Sequence, residues 1–462
     1  MTLLTINKNQ SLAHGLKQRR AKLAQLINHP VILWSGNFVG RNFPANKLPF
    51  RASSHFLYFT GIPLHNAAIR LSAGELELFI DNPPREATLW HGAAPDRDEI
   101  GAAIGADRIY PLAELAHKTA DAATIAIQDL ATYQQQCQLL GRAVALSDRT
   151  DNIDLELAKA LVKLRSQHDD LALEELHQAA KVSVKAHQAG MRATKDSTTE
   201  AEIRGAMEGL IVAHNMTCAY NSIVTVQGEV LHNESYHNQL QPGDLLLADV
   251  GAETANGWAA DITRTWAVSG KFSSTQKDIY EIVLKAHDDC IAKLRPGIEY
   301  QNIHLLAAEI IAEGLVNLGI LKGNPQDLVA IDAHALFFPH GVGHLLGLDV
   351  HDMEDLGDVA GYEPGRARSD RFGLGYLRLN RPLESGMLVT IEPGFYQVPA
   401  ILNNADFRTK YQDVVNWQRL AQFADVRGIR IENDILITDA GAEVLTKDLP
   451  TSIEKIENLV AN

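Results

Sequence analysis

Two strand-like segments in the middle of the chain carry carboxylates where burial is expected. The segment DLLLADV, residues 244–250, has the length and apolar character of a buried strand and contains Asp249 near its end. The next such segment, DITRTWAV, begins with Asp261. Between them, Asn256-Gly257 is a strong hairpin signal. Because an unpaired buried charge costs several kcal/mol, the two aspartates require a cation or protons.

The spacing of the two aspartates decides which faces of the hairpin they occupy. Asp249 and Asp261 lie twelve positions apart. A strict two-residue turn would place them on opposite faces, because side chains alternate along a strand. A three-residue loop, or one bulged residue, would bring both to the same face. A shared metal site therefore predicts an odd loop or a bulge. Taken alone, the aspartates fit a strand-end cap and a turn residue equally well.

A glycine-rich segment, FFPHGVGHLLGLDVHD, contains three histidines within twelve positions: His340, His344 and His351. Gly341 and Gly343 disfavour a helix, so the first two histidines are not a helical zinc-binding pair. In an extended segment, positions 340 and 344 share a face. A single histidine is more often structural. Three histidines among glycines that allow close backbone approach favour a site in which imidazoles bind a metal or donate hydrogen bonds.

Two further carboxylates follow in strand-like segments. Glu392 ends the strand of LVTIEPGFY before a Pro-Gly break, and in GIRIENDILIT the side chains of Arg430 and Glu432 alternate with isoleucines. Singly, each fits a strand end or an internal ion pair. Together with the aspartates and one histidine they form an oxygen-rich ligand set. Such a set suits two divalent cations, with Mn²⁺ favoured modestly over Zn²⁺ or Co²⁺.

Length and composition indicate a globular chain of more than one domain. The chain has 462 residues, of which 46% are hydrophobic and 21% charged, and this length predicts two or three domains. The formal net charge of −15 disfavours nucleic acid and anionic membranes as partners, since both bind basic patches. No segment approaches the roughly 20 apolar residues of a membrane helix, and the first twenty residues lack the apolar core of a secretory signal.

The cysteines bear on the compartment. Cys137, Cys218 and Cys290 are odd in number and far apart. They disfavour a disulfide framework or a thiolate metal site, and they indicate a reducing cytoplasm.

The order of elements suggests where the domains meet. The first third alternates short helix and strand signals, including the aromatic segment FRASSHFLYFTG at residues 50–61. Helical spacing follows over residues 153–164, and a second helical stretch covers residues 171–191. The predicted domains are therefore residues 1–168 and 169–462.

As a set, these motifs resemble the pita-bread metallopeptidase family, which includes aminopeptidase P, prolidase and methionine aminopeptidase. The matching stretches are LLLADVGAE with ADITRTW, HGVGHLLGLDVHD, TIEPGFY and GIRIENDILIT, in the family's order. FRASSHFLYFTG and TLWHG resemble the creatinase-type amino-terminal domain, which methionine aminopeptidases lack. The resemblance implies an α/β (α+β) protein with a carboxy-terminal pita-bread catalytic domain, on the proline-specific branch.

The resemblance also implies roles for particular residues. The implied metal ligands are Asp249, Asp261, His344, Glu392 and Glu432, with Asp261 and Glu432 bridging two ions. The implied non-ligand histidines, which contact the substrate and the developing oxyanion, are His232, His340 and His351. Glu392 would also move the proton from nucleophile to leaving nitrogen, and Arg430 would support the ligands or contact a carboxylate.

The implied activity is hydrolysis of the bond between an amino-terminal residue and proline, by a hydroxide that bridges two divalent ions. The main reading is an enzyme like aminopeptidase P, with a strict Xaa-Pro dipeptidase as the alternative. Arg378 falls where prolidases bind the free carboxylate of a dipeptide. Trp90 is either a core residue or one that reaches a neighbouring subunit in a dimer or tetramer. A metal-free, inactive binding module of the same fold is the competing class.

Overall fold

The computed structural model describes residues 9–84, 86–146 and 152–462. The chain divides into two compact units. The first unit comprises Met1–Ser166 together with Met353–Ala360, and the second comprises Gln167–Asp352 together with Gly361–Asn462. Residues 1–8, on which the expectation about a secretory signal partly depends, lie outside the described residues.

The first unit is built around a four-stranded sheet. The strands of this unit are β1 (Val31–Trp34), β2 (Gly40–Phe43), β3 (Asn46–Lys47), β4 (Ala68–Ser72), β5 (Glu75–Phe79) and β6 (Arg108–Tyr110). The sheet has the order β1-β4-β5-β6, in which only β5 and β6 pair in parallel, and β2 pairs with β3 separately. Its helices are α1 (Asn9–Leu26), α2 (Ser54–Thr60), α3 (Ala87–His91), α4 (Arg97–Ile104), α5 (Leu130–Leu140) and α6 (Ile153–Arg165).

The aromatic segment of the first unit forms the short helix α2. All seven of its residues are buried, so its aromatic side chains belong to the core of this unit. The helix ends at Gly61, whose φ of 65° lies in the left-handed region that glycine adopts most easily.

The second unit contains most of the long helices. Helices α7 to α11 are Asp170–Ala193, Glu200–Ala213, Ser274–Lys293, Tyr300–Asn317 and Pro325–Ala330. Helix α12 (Asp358–Gly361) belongs mostly to the first unit, and α13 to α16 are Pro399–Leu402, Ala405–Lys410, Trp417–Leu420 and Ile453–Ala461. Side chains cap the first turn of several of these helices. Asp169 accepts a hydrogen bond from the first turn of α7, and Thr199 forms a capping box with Glu202 at α8.

The strands of the second unit form small antiparallel sheets. Strands β7 to β11 are Thr217–Cys218, Ile223–Thr225, Leu245–Asp249, Ala252–Glu253 and Thr263–Ala267, and β12 to β16 are Leu388–Ile391, Gly394–Tyr396, Gly428–Arg430, Asn433–Thr438 and Gly441–Val444. The two three-stranded sheets have the orders β11-β9-β8 and β12-β15-β16, and the pairs β10-β7 and β13-β14 complete the set.

The segment GIRIENDILIT differs from the expectation of one continuous strand. Arg430 ends β14, which pairs with β13, whereas β15 begins at Asn433 and pairs with β12. Glu432 therefore lies at the break between two sheets, where its side chain is buried and not part of a ladder.

Among the described residues, no helix is both long enough and apolar enough to cross a membrane. Cys137, Cys218 and Cys290 are all free thiols.

Candidate metal centre

The hairpin that carries the two aspartates has the odd loop that the sequence predicts. Asp249 pairs with Thr263, and the same register continues through the bridge between Glu253 and Ala259. The last closed pair joins Thr254 to Trp258, leaving residues 255–257 as a three-residue loop. Its final residue, Gly257, has a φ of 90°, as expected for a type I turn followed by a left-handed residue. Asp249 and Asp261 therefore share one face of the hairpin.

Tyr220, just before β8, connects the two aspartates. Its hydroxyl oxygen lies 2.5 Å from Oδ1 of Asp249 and 2.6 Å from Oδ1 of Asp261. Burial raises the pKa of both carboxyls, and repulsion from Asp261 raises that of Asp249 further. One hydroxyl proton cannot satisfy two carboxylates, so the pair needs a further positive charge.

Arg430 holds the acidic cluster from the opposite side. Its Nη2 donates to Oδ2 of Asp249 at 2.6 Å, and its Nε donates to Oγ1 of Thr263 at 2.9 Å. The Thr263 hydroxyl in turn donates to Oε2 of Glu432 at 2.7 Å. Nη1 of Arg430 donates to the hydroxyl oxygen of Tyr396 at 3.0 Å. The guanidinium thus supports the carboxylates, and this arrangement favours the supporting role over a contact with substrate.

His344 points one ring nitrogen at the carboxylates. Its Nδ1–H donates to the carbonyl oxygen of Leu345 at 2.9 Å, which places the lone pair on Nε2. That Nε2 lies 3.4 Å from Oδ2 of Asp261 and 3.7 Å from Oε1 of Glu392. Ligand atoms of Asp261, His344 and Glu432 all lie within 4.8 Å of one another. A lone pair facing buried carboxylate oxygens fits a shared cation, so the residues present suit a divalent metal.

Glu392 completes the ring of carboxylates from the break between β12 and β13. Its backbone N–H donates to the carbonyl oxygen of Val342 at 2.9 Å, which fixes this break against the histidine-bearing segment. Burial raises the pKa of Glu392 to about 8, against the attraction of Arg430 and with repulsion from the two aspartates. Four such carboxylates in one place again call for cations.

His340 has both ring nitrogens engaged within the protein. Nδ1 lies 2.7 Å from the carbonyl oxygen of Gly341, so it carries the proton. Nε2 lies 2.8 Å from the Tyr396 hydroxyl and accepts its hydrogen bond. Burial and the charge of Arg430 lower the pKa of His340 to about 3. His340 is thus a neutral residue that supports Tyr396, and the contact with substrate expected of it stays a prediction.

A cavity of about 490 Å³ opens above the cluster, a size typical of small-ligand sites. All five predicted ligands line it, together with His232, His340, His351, Arg378 and Arg430. The ring of His351 packs edge-on against His344, with 4.3 Å between centroids. Partial burial and Arg430 lower the pKa of His232. The charge of Arg378, which lines the same cavity, helps to lower the pKa of His232 and opposes the rise in the pKa of Glu392.

Trp90 differs from one of the two expectations. It lies in helix α3 of the first unit and is 77% exposed, so the interpretation as a core residue is wrong. The other residues of α3 are not buried either.

Sequence reasoning missed four polar residues of the centre. Thr263 lies two positions after Asp261, and alternation along the strand places both side chains on the same face. The sequence pattern could therefore have identified Thr263 as a neighbour of the metal ligands. Asp434 accepts from the backbone N–H of Asp261 at 3.2 Å. Tyr220 and Tyr396 lie far along the chain from their partners, and no local pattern identifies them.

Comparison with known proteins shows the family to which the chain belongs. The model of metallopeptidase family M24 matches residues 174–439, and the model of the aminopeptidase P amino-terminal domain matches residues 16–127. A protein named "Probable Xaa-Pro aminopeptidase" from Fusarium vanettenii is 34% identical over 90% of this chain and 88% of its own length. The Xaa-Pro dipeptidase of Homo sapiens is 30% identical over 100% of this chain and 94% of its own.

Solved structures show the same fold. Aminopeptidase PepP of Pseudomonas aeruginosa superimposes with a TM-score of 0.80 at 27% identity, covering 97% of this chain and 98% of the other. The chain belongs to metallopeptidase family M24, on its Xaa-Pro peptidase branch. The expected fold class, a pita-bread catalytic domain with a creatinase-type amino-terminal domain, is confirmed, and the protein is a metallo-exopeptidase that requires divalent metal ions.

Proposed function

We propose that the protein hydrolyses the bond between an amino-terminal residue and a following proline, with two divalent ions held by Asp249, Asp261, His344, Glu392 and Glu432. The convergence of these five side chains on one cavity is the observation that carries the proposal. The activity follows that named for the relatives, an aminopeptidase P-like enzyme with strict dipeptidase action as the alternative. Mn²⁺ is the proposed metal because oxygen ligands outnumber the single imidazole.

Divalent ions bound here would lower the pKa of a coordinated water towards neutrality and polarise the scissile carbonyl. The surrounding residues supply positioning and proton transfer. Glu392 lies at the cavity wall, where its carboxyl would take a proton from the nucleophile and pass it to the leaving nitrogen. A buried carboxyl with a raised pKa is suited to that exchange.

His351 and His232 are the proposed donors to the substrate. Both line the cavity, and neither supplies a ligand in the proposed set. Each donor to a developing oxyanion contributes roughly 3 kcal/mol of transition-state stabilisation. His340, by contrast, would act through Tyr396 by keeping Arg430 and hence Asp249 in position.

Arg378 is the proposed recognition group for a free carboxylate. It lines the same cavity as Glu392, and a guanidinium binds a carboxylate through paired hydrogen bonds. Dipeptides of the Xaa-Pro type therefore belong among the substrates. The exposed Trp90 is proposed to meet a second copy in a dimer or tetramer, as the resemblance implies.

Replacing Arg378 tests the carboxylate contact. With Mn²⁺ present, Arg378→Ala should lower kcat/KM for Ala-Pro by tenfold or more and that for Ala-Pro-Ala by much less, because the tripeptide's carboxylate lies farther from the scissile bond. Arg366→Ala is the matched control, since Arg366 belongs to the same segment and pairs with Glu299 outside the cavity. Equal losses on both substrates would exclude carboxylate recognition, and no hydrolysis by the wild type would exclude the proposed activity.

Domain limits and location complete the proposal. The domains are residues 1–168 and 169–462, with Met353–Ala360 packed as part of the first unit. The free thiols support a reducing cytoplasm as the location.

A further inference from the structure

Much of the cavity rim comes from one loop. Residues 363–379 form neither helix nor strand in the described structure. Four side chains from residues 368–378 line the cavity: Arg368, Phe372, Tyr376 and Arg378. This segment, the rim loop, therefore carries the proposed carboxylate-binding residue on backbone that has no regular ladder to hold it.

Arg371 ties the middle of the rim loop to the body of the unit. Its Nη2 donates to Oδ1 of Asp332 at 2.8 Å, and its Nε donates to Oδ2 at 3.4 Å. The same Nη2 also approaches the carbonyl oxygens of Val329 and Ala330 at 3.0 and 3.1 Å, at the end of α11. Paired bonds of this kind fix direction as well as distance. Arg371 itself does not line the cavity.

The carboxylate that receives Arg371 is buried in close contact with the rim loop. Asp332 is 7% exposed and has a φ of 62°, a left-handed conformation that aspartate tolerates better than most residues. A Cβ on Gly373 would lie 3.0 Å from Oδ1 of Asp332 and 2.8 Å from the His334 ring, so loop and body are in close contact. His304, neutral because burial lowers its pKa to about 4, donates from Nε2 to the carbonyl oxygen of Gly373 at 2.8 Å.

The far end of the rim loop reaches the histidine-bearing segment. The carbonyl oxygen of Leu377 accepts hydrogen bonds from the Tyr362 hydroxyl at 2.7 Å and from Nη1 of Arg368 at 3.2 Å. A Cβ on Gly341 would lie 3.1 Å from both the Leu377 Cα and the Tyr376 carbonyl oxygen. The backbone that carries Arg378 is thus pressed against the residue next to His340.

From these contacts we infer that Arg371 and Asp332 are positioning residues for carboxylate recognition. Their ion pair holds the rim loop at the distance from which Arg378 meets the free carboxylate of an Xaa-Pro dipeptide. This inference rests on the proposed function and adds to it the residues that set preference for dipeptides.

The test compares two substrates that differ only in the group Arg378 would bind, Ala-Pro and Ala-Pro amide. Arg371→Met and Asp332→Asn should each raise KM for Ala-Pro at least fivefold, while kcat on both substrates and KM for the amide change less than about twofold. Arg371→Lys keeps the charge and loses the paired hydrogen bonds, so its KM for Ala-Pro should lie between those of the wild type and Arg371→Met. If the ion pair had only a structural role, KM would change by the same factor for both substrates.

Glu457→Gln is the matched control. Like Asp332, Glu457 is a buried carboxylate in an ion pair, in its case with Lys271, and it does not line the cavity. Equal KM changes on the two substrates, or none on either, would overturn the inference. Metal content and unfolding temperature identify a misfolded variant; if Arg371→Met misfolds, Asp332→Asn and Arg371→Lys decide, and if Asp332→Asn misfolds, the two Arg371 variants decide. If the wild type cleaves neither substrate, the proposed function itself fails.

Discussion

At the scale of single residues, Tyr220 and Arg430 set how the carboxylates face one another. Tyr220 bridges Asp249 and Asp261 on one side, and Arg430 reaches Asp249 and, through Thr263, Glu432 on the other. Such supporting partners orient metal ligands and tune their basicity. The ligand types were visible in the sequence because carboxylates at ends of apolar strands are unusual. Their tyrosine partner was not, since contacts between distant positions leave no local pattern.

Removing the Tyr220 hydroxyl should weaken the metal site without emptying it. Tyr220→Phe keeps the ring and deletes the bridge, so Mn²⁺ affinity should fall by about 10- to 100-fold, the usual effect of losing such a partner. Isothermal titration of the metal-free protein measures this. Tyr236→Phe provides the control, because the Tyr236 hydroxyl donates to the Ser222 carbonyl oxygen and, within the part of the chain that the structure describes, has no other hydrogen-bond partner. Unchanged affinity in Tyr220→Phe would contradict the bridging role.

At the scale of elements, the hairpin between β9 and β11 shows what spacing and a chemical hypothesis give together. If its aspartates, twelve positions apart, share a metal site, the hairpin needs an odd loop or a bulge, and the loop has three residues. The segment from Arg430 to Glu432 shows the limit of the same reasoning. Alternating polarity predicted one strand there, but the chain changes sheets after Arg430, because tertiary pairing and not periodicity decides where a ladder ends.

Element β5 of the first unit contains a buried charge whose energetics can be tested. Glu77 is 3% exposed and lies between its cross-strand neighbours Arg70 and Arg108. Nζ of Lys118 lies 3.0 Å from Oε1 of Glu77. Burial alone would raise the pKa of Glu77, but Lys118 and Arg70 outweigh it and hold the pKa below the ordinary 4.5. A lowered folded-state pKa contributes stability that is present above pH 4.5 and lost as pH falls below it.

Glu77→Gln should therefore lower the free energy of unfolding by about 2–3 kcal/mol at pH 7. The difference from the wild type should shrink as pH falls through 4, because the wild-type carboxylate is then protonated. Denaturant titration at several pH values measures both effects. Glu75→Gln, on the same strand but exposed and in an ion pair with the exposed Arg108, should cost under about 1 kcal/mol. A pH-independent difference would show that the charge of Glu77 contributes nothing.

At the scale of the whole molecule, the division into two units was only partly visible in the sequence. The change from mixed elements to long helices placed a boundary near residue 168, and the compact units divide after Ser166. The return of Met353–Ala360 to the first unit was not visible. Within that unit, Nε2 of His55 lies 3.0 Å from Asp355, three hundred positions along the chain, and no periodicity encodes such a contact.

The metal should stabilise the molecule by mass action. The four carboxylates, of which Asp261 and Glu432 are buried and Asp249 and Glu392 are partly buried, repel one another in the metal-free protein, so ions that bind only the folded state raise its stability. At a free Mn²⁺ concentration of 100 times Kd, each ion adds about 2.7 kcal/mol. Thermal unfolding should therefore shift upward with Mn²⁺ and return with chelator. Asp261→Ala should show little shift, and an equal shift in that variant would place the stabilising ions elsewhere.

The most direct test of the account is anomalous diffraction from crystals of the protein soaked in Mn²⁺, recorded at the manganese absorption edge. Two manganese peaks per chain are expected, both in contact with side chains of the set Asp249, Asp261, His344, Glu392 and Glu432. The proposed two-metal site would be contradicted by a single peak, or by peaks outside this cluster, provided that protein redissolved from the same crystals still cleaves Ala-Pro.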